Sequence, residues 1–468
     1  MAAKKKSNGP APASIQKKSS GPKVTKKTTA TDRSEKIARV DGRKRVNNND
    51  AAAPPKAKRA RVAAPPAAKP ALNPSPKLPA DEGTIFVFGN GDCGQLGLGD
   101  ERLEVKAAFP VKDVTGVDIV AGGLHSLVLT KDGKIISWGC NDKCVLGRDG
   151  DEFLPDPVEG LDGVKIVKIA AADNLSIALT DDGKVYAWGI FRDSEGKDIG
   201  FNKDIKIAKR PTLLKGLDKI VDVTAGLEHA LALTASGHVY GWGNGQLNQF
   251  GHRISERRIK EYLSPQKLPL RDIIHIGSGS YHSFAVTKEG RLLVWGLNNF
   301  YQCGLTEERD GVPEGAVMNP TEIKGELEGK VVKQAAGGEH HSVVLLDNGE
   351  VYSFGRGDSS QLGLPTELLQ KLNENDTEGS SKQAVSSPTR IPGLPPCDAI
   401  AVGTHHSLAL TREGEVYSWG FGENGALGTG KEEDEITPQK IVGKRLEGYK
   451  VIRVSAGAQH SIVLARKL

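Results

Sequence analysis

The chain is poor in the residues that staple or span. Of 468 residues only 5 are Cys, 2 are Met and 5 are Trp, and aromatic residues reach just 5%. The cysteines (Cys93, Cys140, Cys144, Cys303 and Cys397) are odd in number and match no paired zinc-ligand spacing. A chain this long does not need disulfides, so reduced thiols in a nuclear or cytosolic protein are expected. No apolar run reaches the ~20 residues of a membrane span, and no apolar segment marks a secretory signal, so no membrane partner is expected. There is no Ser/His/Asp set, no metal-ligand cluster and no phosphate-cradling loop, so no metal, no cofactor and no covalent chemistry are expected. Asn373 to Gly379 faintly resembles a calcium loop, but Ala384 stands where the acid at its twelfth position belongs.

Acidic residues are scarce in one place. Residues 1–80 hold 20 Lys and Arg against 4 Asp and Glu, net +16, whereas the remaining residues hold 43 against 54, net −11. This N-terminal stretch also lacks branched apolar and aromatic residues. It cannot bury enough surface to offset ordering entropy and is expected to be a disordered basic tail. Its clusters are Lys4-Lys5-Lys6 with Lys17-Lys18, then Arg43-Lys44-Arg45, then Lys56, Lys58, Arg59 and Arg61. Such runs serve nuclear import and sequence-independent phosphate contact, which weakens in salt; a solubilising tail is the blander alternative.

Glycine, by contrast, is abundant at 56 residues, and its placement is periodic. An aromatic-Gly pair recurs at Phe88, Trp138, Trp188, Trp242, Trp295, Phe354 and Trp419, at spacings of 50 to 65 residues. A small-residue turn followed by His recurs at His125, His229, His282, His341, His406 and His460, with Leu175 in the remaining copy. Between the two lie an alternating apolar strand and, in most copies, a Gly-centred hairpin. Seven such units over residues 81–468 predict an all-β, seven-bladed β-propeller. The first unit is only a third strand (Thr84 to Phe88) and the last supplies its missing partners, so pairing of the terminal strands is expected to close the ring.

Strand parity divides the loops. With strands a to d in up-and-down order, the small turn and the loop after aromatic-Gly share one face, and the hairpins lie on the other. The tail joins a c strand and therefore leaves from the hairpin face. A residue repeated in every blade is a packing device, so function is sought where one blade breaks the rule. Six copies place six residues between aromatic-Gly and the next Leu-Gly-like pair; the third places nine, Ile190 to Asp198. This extension is expected to project as a small hairpin, although loops tolerate neutral insertions. The same copy has Asp173 in its turn and Leu175 for His. Asp92, Glu228, Tyr301, His340 and His405 are further irregular positions. His252 to Lys260 is a basic loop whose Arg253, Arg257, Arg258 and Lys260 suit carboxylate or phosphate. Pro365 to Pro388 is expected to be a mobile polar excursion.

The signatures Ala121-Gly122-Gly123-Leu124-His125-Ser126, Asp182-Gly183-Lys184-Val185-Tyr186-Ala187-Trp188-Gly189 and Gly91-Asp92-Cys93-Gly94-Gln95-Leu96-Gly97 resemble the regulator of chromosome condensation repeats, over about residues 83–468. The resemblance implies a chromatin-bound guanine-nucleotide exchange factor for the nuclear GTPase Ran, in its GDP, GTP and nucleotide-free forms. A chromatin-binding or scaffold propeller without exchange activity is the alternative. It further implies that Asp92, Asp173 and His340 face the GTPase. Phe191, Arg192, Asp193, Ser194, Glu195, Gly196, Lys197 and Asp198 match the family's β-wedge. Glu228 stands where the family often has Asp, His252 where an Arg is typical and Tyr301 where a His is typical. The tail and the Arg253 to Lys260 loop resemble parts that touch DNA and histones in the nucleosome, and the tail is expected to engage a nuclear import receptor.

Overall fold

A computed structural model describes residues 71–313, 315–374 and 383–468. The basic clusters from Lys4 to Arg61 and the stretch 375–382 lie outside the described residues. Seven four-stranded antiparallel sheets follow one another around a central channel. Blade 1 spans 118–157, blade 2 166–213, blade 3 220–267, blade 4 273–322, blade 5 332–390 and blade 6 397–440. Blade 7 takes its a and b strands from Tyr449–Ala456 and His460–Lys467, and its c and d strands from Gly83–Asn90 and Glu104–Gly116. The terminal strands pair from Thr84 opposite Ala465 to Gly89 opposite His460, which closes the ring.

Each b strand is buried on both faces, as in Leu175–Thr180 and His229–Thr234, because it is sandwiched between two neighbouring blades. That is why these strands read as continuous Leu, Val and Ala. The outer strands are partly exposed and polar. Residues 71–80, expected in the tail, belong to this body. Asn73 is buried and donates from Nδ2 to the carbonyls of Thr234 and Ile273, at 3.1 and 2.9 Å. Both acceptors lie at the hairpin ends of their strands, so the chain enters along the hairpin face. Part of the Pro365 to Pro388 excursion is also built in. Thr366–Asn373 is helical, and its Leu368, Leu369 and Leu372 pack against the core of blades 5 and 6.

The repeated histidines join the blades. His125 bonds through Nε2 to Ser176 Oγ, His229 to Ser283, His282 to Ser342, His341 to Ser407, His406 to Ser461 and His460 to Ser126, each to the next blade, at 2.8 to 3.0 Å. Serines such as Ser126, Ser283 and Ser342 spend their single proton on a loop carbonyl, those of Gln95, Gln249 and Gln302. The histidine must therefore be the donor, neutral and protonated on Nε2. Burial enforces that state, holding His125 and His406 down to about 4 and His229, His282 and His460 to about 3. The glycine three residues before each His makes room: a Cβ on Gly122 would stand 2.4 Å from His125 Cε1. A second family of bonds runs from the tryptophans. Trp138, Trp188, Trp295 and Trp419 donate from Nε1 to the carbonyls of Gln95, Val145, Gln249 and Gln361 of the preceding blade.

The junction of blades 2 and 3 has neither. Leu175 replaces His and Ala230 replaces its Ser, and both are buried. Trp242 Nε1 has no hydrogen-bond partner. Its counterpart carbonyl has been carried away by the enlarged loop of blade 2. The apolar pair shows how the ring tolerates a missing bond, since removing both partners costs less than stranding one. Accordingly, His282→Ala is expected to cost about 3 kcal/mol, from the cavity and the lost bond. The paired change His282→Leu with Ser342→Ala should cost less, about 2 kcal/mol, since it removes both ring partners and leaves only the Gln302 carbonyl without its donor. Denaturant midpoints measure both, and a double variant no more stable than the single would refute this view of the ladder.

Candidate functional site

The enlarged loop folds as the sequence suggests, on the loop face. Phe191–Arg192 and Asp198–Gly200 form a two-stranded ribbon. Its tip is a tight turn in which Asp193 Oδ1 accepts the amides of Glu195 and Lys197, at 3.0 and 2.9 Å. Ser194, Glu195, Gly196 and Lys197 are exposed on it, and Gly196 supplies the positive φ of +80° that the turn demands. No two-residue ribbon is stable by itself, so its root is anchored. Phe191 is 0% exposed and rests on Gly243, where a Cβ would meet its ring at 2.6 Å. The sequence placed Phe191 among contacting residues; the fold gives it a supporting position instead, over Gly243, where the loop residues Gln302 and Gln361 of other blades lie over Gly355 and Gly420.

Glu228 is likewise not on the surface. It is 7% exposed and accepts Arg192 N–H at 2.7 Å and Asn174 Nδ2 at 2.7 Å. Burial pushes its carboxyl up to about 7, opposed by those two hydrogen bonds. It therefore ties blade 3 to the ribbon's first strand. Ser194 N–H reaches Gln246 Oε1 of blade 3 at 3.0 Å. On the other flank, Asp198 turns inward to Lys143 of blade 1 rather than outward. Arg192 Nε is buried without a hydrogen-bond partner, 3.6 Å from Asp198 Oδ1.

Asp173 opens onto the mouth of the channel, where water reaches it although the turns crowd it. Burial raises its carboxyl to about 6, countered by Arg192 and reinforced by Glu339. Across the mouth, Glu339 lies 3.7 Å from His340 Nε2 and 3.3 Å from His405 Nε2. His340 is packed against Phe300 and Tyr281, with ring centroids 4.9 and 5.9 Å away, and burial lowers its pKa despite Glu339. Asp92 is exposed and held by Asn90, whose Oδ1 accepts the Asp92 amide at 2.8 Å. Thus Asp92, Asp173, His340 and the ribbon tip stand on one face, around one opening.

Two expected members do not join them. Tyr301 is 4% exposed and occupies a positive-φ turn (+57°), so it shapes its loop. His252 is engaged internally, with Nε2 2.6 Å from Tyr262 Oη and Nδ1 3.0 Å from the Phe250 carbonyl. The basic loop is a short helical turn, Glu256–Arg258 followed by Ile259–Tyr262, whose Tyr262 stacks on Phe250. Arg253, Arg257, Arg258 and Lys260 are exposed. The loop joins the c and d strands of blade 3 and so springs from the same face as the ribbon. Lys143, Asn174 and Gln246 were missed because nothing in the repeat distinguishes them until the ribbon is in place.

Seven four-stranded sheets in a closed ring, with one rebuilt seam and a braced projection, make this a seven-bladed β-propeller. The model of the RCC1-like domain matches residues 84–463, and the chain belongs to that family. Protein pim1 of Schizosaccharomyces pombe is 38% identical over 84% of this chain and 76% of its own length. The guanine nucleotide exchange factor SRM1 of Saccharomyces cerevisiae is 36% identical over 81% of this chain and 86% of its own. The crystal structure of Prp20p from Saccharomyces cerevisiae, described with its binding to Gsp1p and histones, superposes with a TM-score of 0.78 at 37% identity, covering 84% of this chain and 94% of that one. A structure of Kap60 bound to yeast RCC1 (Prp20) gives 0.78 at 35% identity, covering 89% and 97%.

Proposed function

We propose that this chain is a guanine-nucleotide exchange factor for Ran, tethered to chromatin in the nucleus. The observation that carries the reading is the ribbon at the seam of blades 2 and 3, braced from both flanks and aimed from the face that also presents Asp92, Asp173 and His340. The relatives named for exchange activity and for binding Gsp1p and histones support it. The work is done by binding, not by covalent chemistry. A small GTPase can hold nucleotide at picomolar affinity, about 16 kcal/mol. Accelerating release ~10⁵-fold requires ~7 kcal/mol of preferential binding to the opened pocket. A rigid projection meets that need because little of its binding energy is lost to ordering. The ribbon tip distorts the phosphate-binding region of the GTPase while the surrounding loops hold it. Coupling is reciprocal, so free nucleotide weakens the complex by the same factor.

Sub-stoichiometric full-length protein mixed with Ran carrying labelled GDP should release the label over many turnovers in excess unlabelled nucleotide. Binding without release would leave the scaffold alternative standing. The basic tail supplies nuclear import, in line with the Kap60 complex of the yeast relative, and sequence-independent DNA contact. Arg253, Arg257, Arg258 and Lys260 engage acidic or phosphate groups of the nucleosome. Replacing Arg253, Arg257 and Arg258 by Ala is expected to weaken nucleosome binding about tenfold and to flatten its salt dependence, leaving GDP release within about twofold. Unaltered nucleosome affinity would remove the loop from that role.

A further inference from the structure

We propose that Lys143 is a positioning residue for nucleotide exchange: from blade 1 it holds the ribbon of blade 2 at its working angle through Asp198. This rests on the reading of the ribbon as the displacing element. Lys143 Nζ lies 3.0 Å from Asp198 Oδ1 and 2.9 Å from Oδ2. The two side chains are only 24% and 29% exposed, so water and salt screen the pair less than an ordinary surface bridge. The contact, led by the Lys143 hydrogen bonds, holds the Asp198 carboxyl below the usual carboxylate range.

The placement of the pair gives it leverage. Asp198 opens the returning strand and pairs with Arg192, whose Nε is 3.6 Å from the same carboxylate. The first strand is fixed to blade 3 by Glu228 at Arg192 N–H, and the start of the tip by Gln246 at Ser194 N–H. The returning strand is fixed to blade 1 by Lys143. The standard inter-blade bonds are missing between blades 2 and 3, where Glu228 and Gln246 stand in for them; between blades 1 and 2 they are present, and Lys143 adds a further tie above them. With Lys143 neutral, one flank is released and the tip swings about the buried Phe191 root. A displacement of about 1 Å at a working group can cost ~10²-fold in rate; a partly retained brace should cost less.

The test uses full-length protein with Lys143→Gln, Lys143→Arg, Asp198→Asn and the double variant K143Q/D198N. Labelled-GDP release is measured across Ran concentrations. K143Q is expected to lower kcat about tenfold with KM within twofold and an unchanged melting temperature. K143R should recover at least half of the rate. The double variant should be no slower than the slower single, since both break one contact. Wild-type kcat in K143Q, a defect confined to KM, or failure of arginine to rescue would overturn the assignment. A variant lacking Ser194, Glu195 and Gly196 runs alongside. If it retains full exchange, the ribbon reading itself fails; if it is inactive while K143Q is unimpaired, only the role of Lys143 fails.

Discussion

Removing Ser194, Glu195 and Gly196 is expected to slow the catalysed release of GDP from Ran a thousandfold or more while leaving the propeller as stable as before. The three residues form the tip of the ribbon, and their removal returns the loop of blade 2 to the six-residue length of the other blades. The ring accommodates that length six times over, so no strain is introduced. The shortened loop can also offer Trp242 the carbonyl that Trp138, Trp188, Trp295 and Trp419 receive, which would satisfy an Nε1 now without a partner. A buried donor left unsatisfied costs about 1–3 kcal/mol, so the melting temperature should hold or rise. A thousandfold loss is about 4 kcal/mol of transition-state stabilisation, over half of the ~7 kcal/mol that exchange requires. Loss of exchange together with equal or greater stability would separate function from fold. Retained exchange would refute the displacement mechanism.

The second large effect is on acid stability. Six buried histidines are neutral in the fold: His125, His229, His282, His341, His406 and His460, each held far below the ordinary value by burial. Because their folded pKa values lie below the unfolded value of about 6.5, the unfolded chain binds more protons as pH falls through that value. The stability is complete above about pH 7 and is lost as pH drops toward 4. At pH 5.5 each costs about 1.4 kcal/mol, whatever its folded value below 5, and the set costs about 8. Glu228 works the other way. Its raised carboxyl regains between 1 and 2 kcal/mol over the same range, roughly, as it protonates in the fold. The net loss, about 6 to 7 kcal/mol, is comparable with the whole stability of many domains. Urea midpoints at pH 7.5 and 5.5 should therefore differ by more than 2 M at a typical slope. Equal midpoints would contradict the neutral, buried histidine ladder.

The architecture was legible because the ring is periodic. Aromatic-Gly pairs, turn histidines and Gly-centred hairpins each recur with one strand between them, and the incomplete first unit reads as half of a blade. Parity then assigned the two faces correctly, and the one overlong loop marked the ribbon. The beginning of the ordered body was not legible, because Asn73 acts through backbone carbonyls of Thr234 and Ile273 that no local pattern announces. Nor was the difference between touching and supporting. Phe191 and Glu228 break the repeat just as Asp173 does, but a departure from pattern does not say which way a side chain points. Only packing revealed that the phenyl ring lies on Gly243 and that the carboxylate turns to Arg192 N–H and Asn174. Lys143 and Gln246 sit in loops of ordinary length, and their roles exist only relative to a neighbouring blade.

Hydrogen–deuterium exchange on the full-length protein bound to nucleotide-free Ran tests the central claim most directly. Protection is expected at residues 192–197 and in the loops around Asp92, Asp173 and His340, with the hairpins near Asp132 and Ser236 on the opposite face unchanged. Protection of those hairpins with the ribbon left exposed would contradict it.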